Sequence, residues 1–403
     1  MQRLTCLDGL RGLLALYVLL SHTVPFAAAA DWVVRPFTHG GAAVDVFFIL
    51  SGLVIVQSLS SYGYCARPFL IARVARIFPV FLVVFVFALA VQPLQTGFGR
   101  MPWLGQDSPA RFIWSGGWPH GWLLSILAHL TMTHGLFPDG MLPNAWVEFL
   151  GAAWSLSTEW QFYLLVVLCG RMELPRLARL LLALSIVGTA WQALGPEVWQ
   201  FSRAFLPNKA QYFALGVASA ILLRREPGAL VCYAGVLAST LLLCGVQGGA
   251  DKLLPPLGWT LCLAAKLRPG WALRGTARVL SSRSAVWLGA VSYCVYLVNE
   301  PVQKLLGVGL ALAVQGDGAL FTALWLPGAV GLPLLAAWGL HVWIEAPVLR
   351  WGRAVARAAS AVRTSSTAGS APRAALSPRS VLVATRRDAR PQAAAQRTDP
   401  GSP

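Results

Sequence analysis

Long apolar runs separated by short polar connections define this chain. Apolar stretches lie near residues 10–30, 43–60, 77–94, 150–170, 180–194, 208–223, 229–246, 253–267, 285–306 and 321–345. A helix that crosses a bilayer needs about 20 consecutive apolar residues, so each run reads as a helix that crosses alone or within a thick bundle. The pattern predicts an all-α polytopic transmembrane bundle of about ten spans. Trp122 to Phe137 is also apolar but is interrupted by His129 and His134. It is expected to be a re-entrant or surface helix on the outer side, rich in tryptophan like its flanks.

Charge orients the bundle. Basic residues gather at Arg67, Arg73 and Arg76, at Arg171, Arg176 and Arg179, at Arg224 and Arg225, from Arg268 to Arg283, and from Arg350 onward. Each group follows an even-numbered span, and the intervening loops 31–42, 195–207 and 247–252 carry few positive charges. The positive-inside rule then places both termini in the cytoplasm. Counting 122–137 as a span would invert every later cluster.

Composition excludes a soluble domain: 56% of residues are hydrophobic, 12% are charged and the mean hydropathy is +0.61. The net charge of +16 would suggest nucleic acid in a soluble protein. Here the arginines sit in connections and in the C-terminal segment, so no nucleic-acid partner is expected. No cleavable signal peptide is apparent, and the run from Leu13 to Ala30 reads as a retained first span. The seven cysteines are scattered without a Cys-x-x-Cys pair, which supports neither a disulfide framework nor a metal site. From about Arg353 the chain turns to Ala, Ser, Arg and Pro without periodicity, and no internal repeat is visible. The expected organisation is a membrane domain over 1–352 and a disordered basic cytoplasmic tail over 353–403. Ten arginines from Arg350 to Arg397 against two aspartates suit docking on anionic lipid head groups, with an inert tail as the alternative.

Arg11 and His22 stand out in the first apolar run. At about 1.5 Å and 100° per residue, eleven residues put both on one helix face, roughly 16 Å apart. An ionisable group in a bilayer costs at least ~2.5 kcal/mol and usually marks a pathway or a site. An imidazole at depth is a candidate proton acceptor.

Six motifs then occur in order. They are Leu7-Asp8-Gly9-Leu10-Arg11-Gly12 with His22; Gly40-Gly41 to Asp45-Val46-Phe47-Phe48-Ile49-Leu50-Ser51-Gly52; Arg73-Val74-Ala75-Arg76-Ile77-Phe78-Pro79; Trp154-Ser155-Leu156-Ser157-Thr158-Glu159-Trp160-Gln161-Phe162-Tyr163; Ser292-Tyr293-Cys294-Val295-Tyr296-Leu297; and Ile344-Glu345-Ala346-Pro347. Over roughly residues 5–352 the chain resembles the acyltransferase 3 family, membrane enzymes that move acyl groups, most often acetyl, onto sugars and other hydroxyls. The resemblance implies ten core helices, acetyl-CoA as acyl donor and a carbohydrate or lipid-linked sugar as acceptor, such as an exopolysaccharide or lipopolysaccharide unit. It also implies a bacterial cytoplasmic (inner) membrane location and polysaccharide assembly machinery as a partner. Two positions depart from it: many relatives have histidine where Asn299 stands and an aromatic residue at Glu300.

Acyl transfer from a thioester to a hydroxyl needs a base, a hold on the coenzyme A phosphates and polar groups near the developing oxyanion. His22 is the candidate base. Asp45, at the outer start of the second span, is expected to orient its imidazole as carboxylates do in hydrolase triads. Glu159 is expected mid-span, meeting Arg11, His22 or substrate hydroxyls. Arg73 and Arg76, one turn apart at the cytoplasmic start of the third span, are expected on the phosphates. Trp154, Ser155 and Ser157 are expected to line a polar substrate path, and Trp114 and Trp118 to stack on sugar rings or anchor at the interface. Gly40 and Gly41 permit a tight turn, and Ser51-Gly52 a close helix approach. Acyl transfer to a non-carbohydrate small molecule and secondary transport are the alternatives; a transporter would usually show an internal repeat and broken helices.

Overall fold

The computed structural model describes residues 5–94, 97–114, 116–267 and 271–369. These form fourteen α-helices: α1 (Thr5–Thr23), α2 (Asp31–Val34), α3 (Gly40–Ser61), α4 (Ala66–Val91), α5 (Trp122–Leu130), α6 (Ala153–Cys169), α7 (Leu174–Leu194), α8 (Ala210–Leu223), α9 (Ala229–Val246), α10 (Leu254–Leu267), α11 (Trp271–Leu280), α12 (Arg283–Val314), α13 (Gly318–Leu340) and α14 (Ala346–Gly369). Among the described residues the β-pairing is one isolated bridge, Pro138 with Phe201. Each of the ten apolar runs coincides with a helix. Among the described residues seven helical segments are long and apolar enough to cross a membrane; α6, α8 and α10 are shorter. The nine residues of α5 rise only about 14 Å, well short of the bilayer core.

Large apolar side chains point outward along the spans, including Val86 on α4, Val187 on α7, Val231 and Leu242 on α9 and Leu335 on α13. Such surfaces suit lipid rather than water. Inside, α1 packs along α12, α12 along α13, and α3 along α8. Glycine makes two of these approaches possible. A Cβ on Gly12 would lie 2.6 Å from Gly289 N, and one on Gly216 would lie 2.1 Å from Ile49 O. Gly52 faces the same crossing, as its position beside Ser51 suggested. Gly40 opens α3 with its bare Cα against Ser21 Oγ, so it serves a close contact rather than a turn.

The main core runs through Phe48, Phe81, Phe85, Phe162 and Phe213. A second cluster at the other end of α13 holds Phe26, Trp114, Phe321 and Trp325. Trp114 stacks on Phe26 at 3.9 Å and is 3% exposed, so it is core and not a surface for sugars. Trp118 remains half exposed beside Trp122. His129 of α5 stacks on His134 at 4.1 Å and on Phe85 at 5.4 Å, both imidazoles being fully buried. Burial holds His129 down at about 4 and His134 well below the ordinary histidine value.

Residues through Val362 form one compact unit and a second begins at Arg363. Position 353, the expected boundary, falls inside α14, and Ala356 is fully buried. Segment 370–403, most of the expected tail, lies outside the described residues.

Candidate active site in the helix bundle

Helices α1, α3, α4, α6 and α12 enclose a cavity of about 410 Å³. Polar side chains enter it from every wall: Arg11, Ser51, Arg73, Arg76, Ser155, Glu159, Tyr293 and Tyr296. Five of the residues singled out from the sequence thus share one space. Glu159, in the second turn of α6, accepts hydrogen bonds from Ser51 Oγ at 2.7 Å and Tyr163 OH at 2.6 Å. Arg11 is close enough for its charge to act on Glu159. The carboxylate's direct partners are therefore protein hydroxyls.

The two α4 arginines differ in how they are held. Arg73 donates to Ser58 Oγ at 3.1 Å, and its guanidinium lies over the Phe69 and Tyr163 rings at 5.6 and 5.8 Å. Its Nε is buried with no hydrogen-bond partner. Arg76 pairs with Glu345 and lies over the Tyr293 ring at 5.1 Å. Glu345, 1% exposed, also accepts from His341 Nδ1 at 2.7 Å and from Cys294 Sγ at 3.3 Å. It sits at the end of a π-helical turn, His341–Glu345, a distortion frequent at functional sites. With its oxygens engaged, this carboxylate fixes Arg76 against the cavity.

At the far end of α1, His22 Nδ1 lies 2.7 Å from Asn299 Oδ1. The partner expected for the imidazole was Asp45. Instead Asp45 Oδ1 accepts from Lys209 Nζ at 2.7 Å. A buried carboxylate needs a full countercharge, and Lys209, immediately before α8, supplies it where α3 crosses α8. Tyr296 lines the cavity one turn before Asn299, and its hydroxyl is 2.9 Å from Ser155 Oγ. His22 thus stands one helical turn of α12 beyond the cavity.

Of the three residues expected along a substrate path, only Ser155 lines the cavity. Trp154 packs edge-on against Phe48, and Lys209 Nζ lies 5.8 Å from its ring centre. Ser157 donates to Met132 O and accepts from Gly135 N, tying α6 to the segment that follows α5. Both serve packing because the α6 face that carries them turns away from α1 and α4. The helix begins at Ala153 and ends at Cys169, so Glu159 lies about 9 Å from its start and about 3 Å from its midpoint, close to the mid-span place expected of it. Glu300 faces the backbone N–H groups of Gly151 and Ala152 just ahead of α6, so it anchors the helix that presents Ser155 and Glu159.

Sequence reasoning missed Asn299 as the imidazole's partner, Glu345 as that of Arg76, and Lys209 altogether. Asn299 and Glu345 both lie in segments set apart by their motifs; Lys209 gave no signal.

Residues 4–342 match the acyltransferase domain family. The chain is 28% identical over 400 residues to acyltransferase MdmB of Streptomyces mycarofaciens, an alignment covering 86% of this chain and 92% of that protein. It is 26% identical over 241 residues to the membrane-bound transacylase BcsY of Komagataeibacter xylinus, covering 54% and 56% respectively. No solved structure matches the chain significantly. A helical bundle with lipid-suited outer faces, a buried polar cavity and a family match over most of its length make this chain a multi-pass membrane protein of the acyltransferase 3 family.

Proposed function

We propose that the protein is an O-acyltransferase that takes an acetyl group from acetyl-CoA at its basic, cytoplasmic end and transfers it to a hydroxyl of a surface or exported carbohydrate at the opposite end. One observation carries this reading. Three arginines, Arg11, Arg73 and Arg76, enter a single cavity whose wall continues through Tyr296 to the turn that holds His22.

A cavity of about 410 Å³ lies toward the small end of ligand sites and suits a narrow pantetheine arm. The phosphates would then stay near Arg73 and Arg76, beside water and the basic connections. The acceptor hydroxyl loses its proton to His22 as its oxygen attacks the thioester carbonyl. The hydroxyls of Tyr296 and Ser155 are suited to donate to the oxyanion of the tetrahedral intermediate. Its collapse breaks the carbon–sulfur bond, and the imidazolium returns the proton to the departing thiolate. Atoms and charge balance without a metal. Acetyl-CoA is confined to the cytoplasm while surface glycans are assembled outside, so a bundle with arginines toward one end and an imidazole toward the other suits the task. The bacterial inner membrane and a polysaccharide assembly partner follow from the same reading.

The test is release of free thiol from acetyl-CoA by purified protein, paired with mass spectrometry of surface glycans from a deletion strain. His22→Gln is expected to lower turnover about 100- to 10,000-fold, as loss of a general base does, with membrane insertion unchanged. Wild-type turnover by an inserted H22Q variant would remove His22 from the mechanism. Unaltered glycans with a modified small molecule would move the acceptor outside carbohydrates.

A further inference from the structure

The hydrogen bond between His22 and Asn299 has a direction that the neighbouring groups decide. An imidazole nitrogen either donates or accepts, so the 2.7 Å contact from Nδ1 to Oδ1 leaves the proton's place open when taken alone. The amide of Asn299 closes the question. Its other terminal atom lies 3.0 Å from the carbonyl oxygen of Val295 and 2.6 Å from that of Tyr296. Carbonyl oxygens only accept, so the NH₂ group must occupy that side. A flipped amide would set its oxygen against two carbonyls at a position with no exposure to water, and buried acceptors left facing one another are costly. Oδ1 therefore faces His22, and because it too only accepts, the proton belongs on Nδ1. Nε2 is left with a free lone pair.

We propose that Asn299 is a positioning residue that locks His22 in its Nδ1–H tautomer and so presents Nε2 as the proton acceptor. The reaction served rests on the acyl-transfer reading above; the lock does not. The device is neutral. A carboxylate in this place would carry a charge into an apolar span and require its own partner, whereas the carboxylate of Asp45 is committed to Lys209. The amide's two bonds to its own helix make the lock rigid, and they fix it to the turn whose Tyr296 side chain lines the cavity. Base and cavity wall are held by one piece of backbone.

Six histidines occur in the chain, few enough for a direct reading. Full-length protein labelled with ¹⁵N-histidine is reconstituted in phospholipid bilayers near neutral pH, and the His22 signals are identified by their loss in H22Q. The expected spectrum shows Nδ1 protonated and Nε2 as an unprotonated, pyridine-type nitrogen. In Asn299→Leu the lock is gone, and the expected spectrum is a tautomer mixture with Nε2–H present. With acetyl-CoA as substrate, N299L is expected to lower kcat roughly 100-fold, the scale of a misplaced catalytic group, while KM for acetyl-CoA changes less than about twofold because the cavity arginines are untouched. An Nε2–H signal in the wild type overturns the proposal without any variant, and an unchanged tautomer in a folded N299L protein overturns it as well. The expected tautomer in a protein that consumes no thioester leaves the lock standing and refutes the enzymatic reading alone.

Discussion

Lys209→Met separates the structural role of Asp45 from a catalytic one. Asp45 and Lys209 have side chains 5% and 16% exposed, with Nζ 2.7 Å from Oδ1. With charge centres roughly 4 Å apart and an effective dielectric of about 20, their attraction is about 4 kcal/mol. Removing the ammonium strands a carboxylate, and breaking a buried pair from one side typically costs about 3 to 5 kcal/mol. Asp45→Asn should cost less, about 1 to 3 kcal/mol, because the longer lysine can turn toward water. In the double variant D45N/K209M neither charge is stranded, and a buried pair replaced on both sides is often close to neutral. The expected coupling is then roughly the sum of the two single losses, about 4 kcal/mol or more. The assay is unfolding by SDS in mixed micelles, followed by far-ultraviolet circular dichroism, with thiol release measured on the same preparations. Single-variant losses under about 1 kcal/mol that simply add would refute the pairing argument. Recovery of stability in the double variant without recovery of thiol release would return Asp45 to the catalytic machinery.

Arg73→Ala and Arg76→Ala should each weaken coenzyme A binding about 10- to 100-fold, the worth of a charge-assisted hydrogen bond, in titration calorimetry; unchanged isotherms would reduce both to topology anchors. Glu345→Gln should reproduce much of the Arg76→Ala effect, since it frees the guanidinium that Glu345 holds; wild-type binding would show that Arg76 needs no such support. Gly216→Ala should destabilise by about 1 to 3 kcal/mol through overpacking, its new Cβ meeting Ile49 O at 2.1 Å, whereas Gly41→Ala meets nothing within 4 Å and should be neutral in the same SDS titration. Because burial holds His129 at about 4 in the folded protein against 6.5 ordinarily, unfolded chains bind its proton first as pH falls. Stability should be full above pH 6.5 and decline toward pH 4 by about 3 kcal/mol from this group; His129→Phe, which keeps the stack on Phe85, should flatten that slope of Tm against pH.

Ten of the helices were legible because each carries its own apolar run, and the arginines and glutamate of the cavity because charges in apolar helices are conspicuous; α11 and α14 carry no such run and were not. Their contacts were not legible. His22 meets Asn299 across 277 positions, Arg76 meets Glu345 across 269 and Lys209 meets Asp45 across 164. Helical spacing relates residues a few turns apart and says nothing about which distant helix completes a pair. Placing Asp45 at the outer start of the second span made it a neighbour of the first helix, but a position along a helix does not fix that helix's rotation about its axis. That rotation places Asp45 toward α8. The glycine contacts at Gly52 and Gly216 and the fixed backbone at Asn299 set these rotations, and they express packing rather than polarity.

Helix α8 has a consequence for how the protein is made. Its 14 residues are buried almost throughout, and at about 1.5 Å per residue it measures about 21 Å against a hydrocarbon layer of about 30 Å. Emerging from the ribosome, such a segment cannot partition across the bilayer by itself and must wait for walls. Those walls are α3 and α7, synthesised earlier, and α9, synthesised just after. Until α9 arrives, Asp45 has no settled Lys209 beside it. The active bundle is therefore a late product of biogenesis, and a nascent chain stalled before residue 246 should still be open to proteases and to quality-control machinery at the seam between α3 and α7.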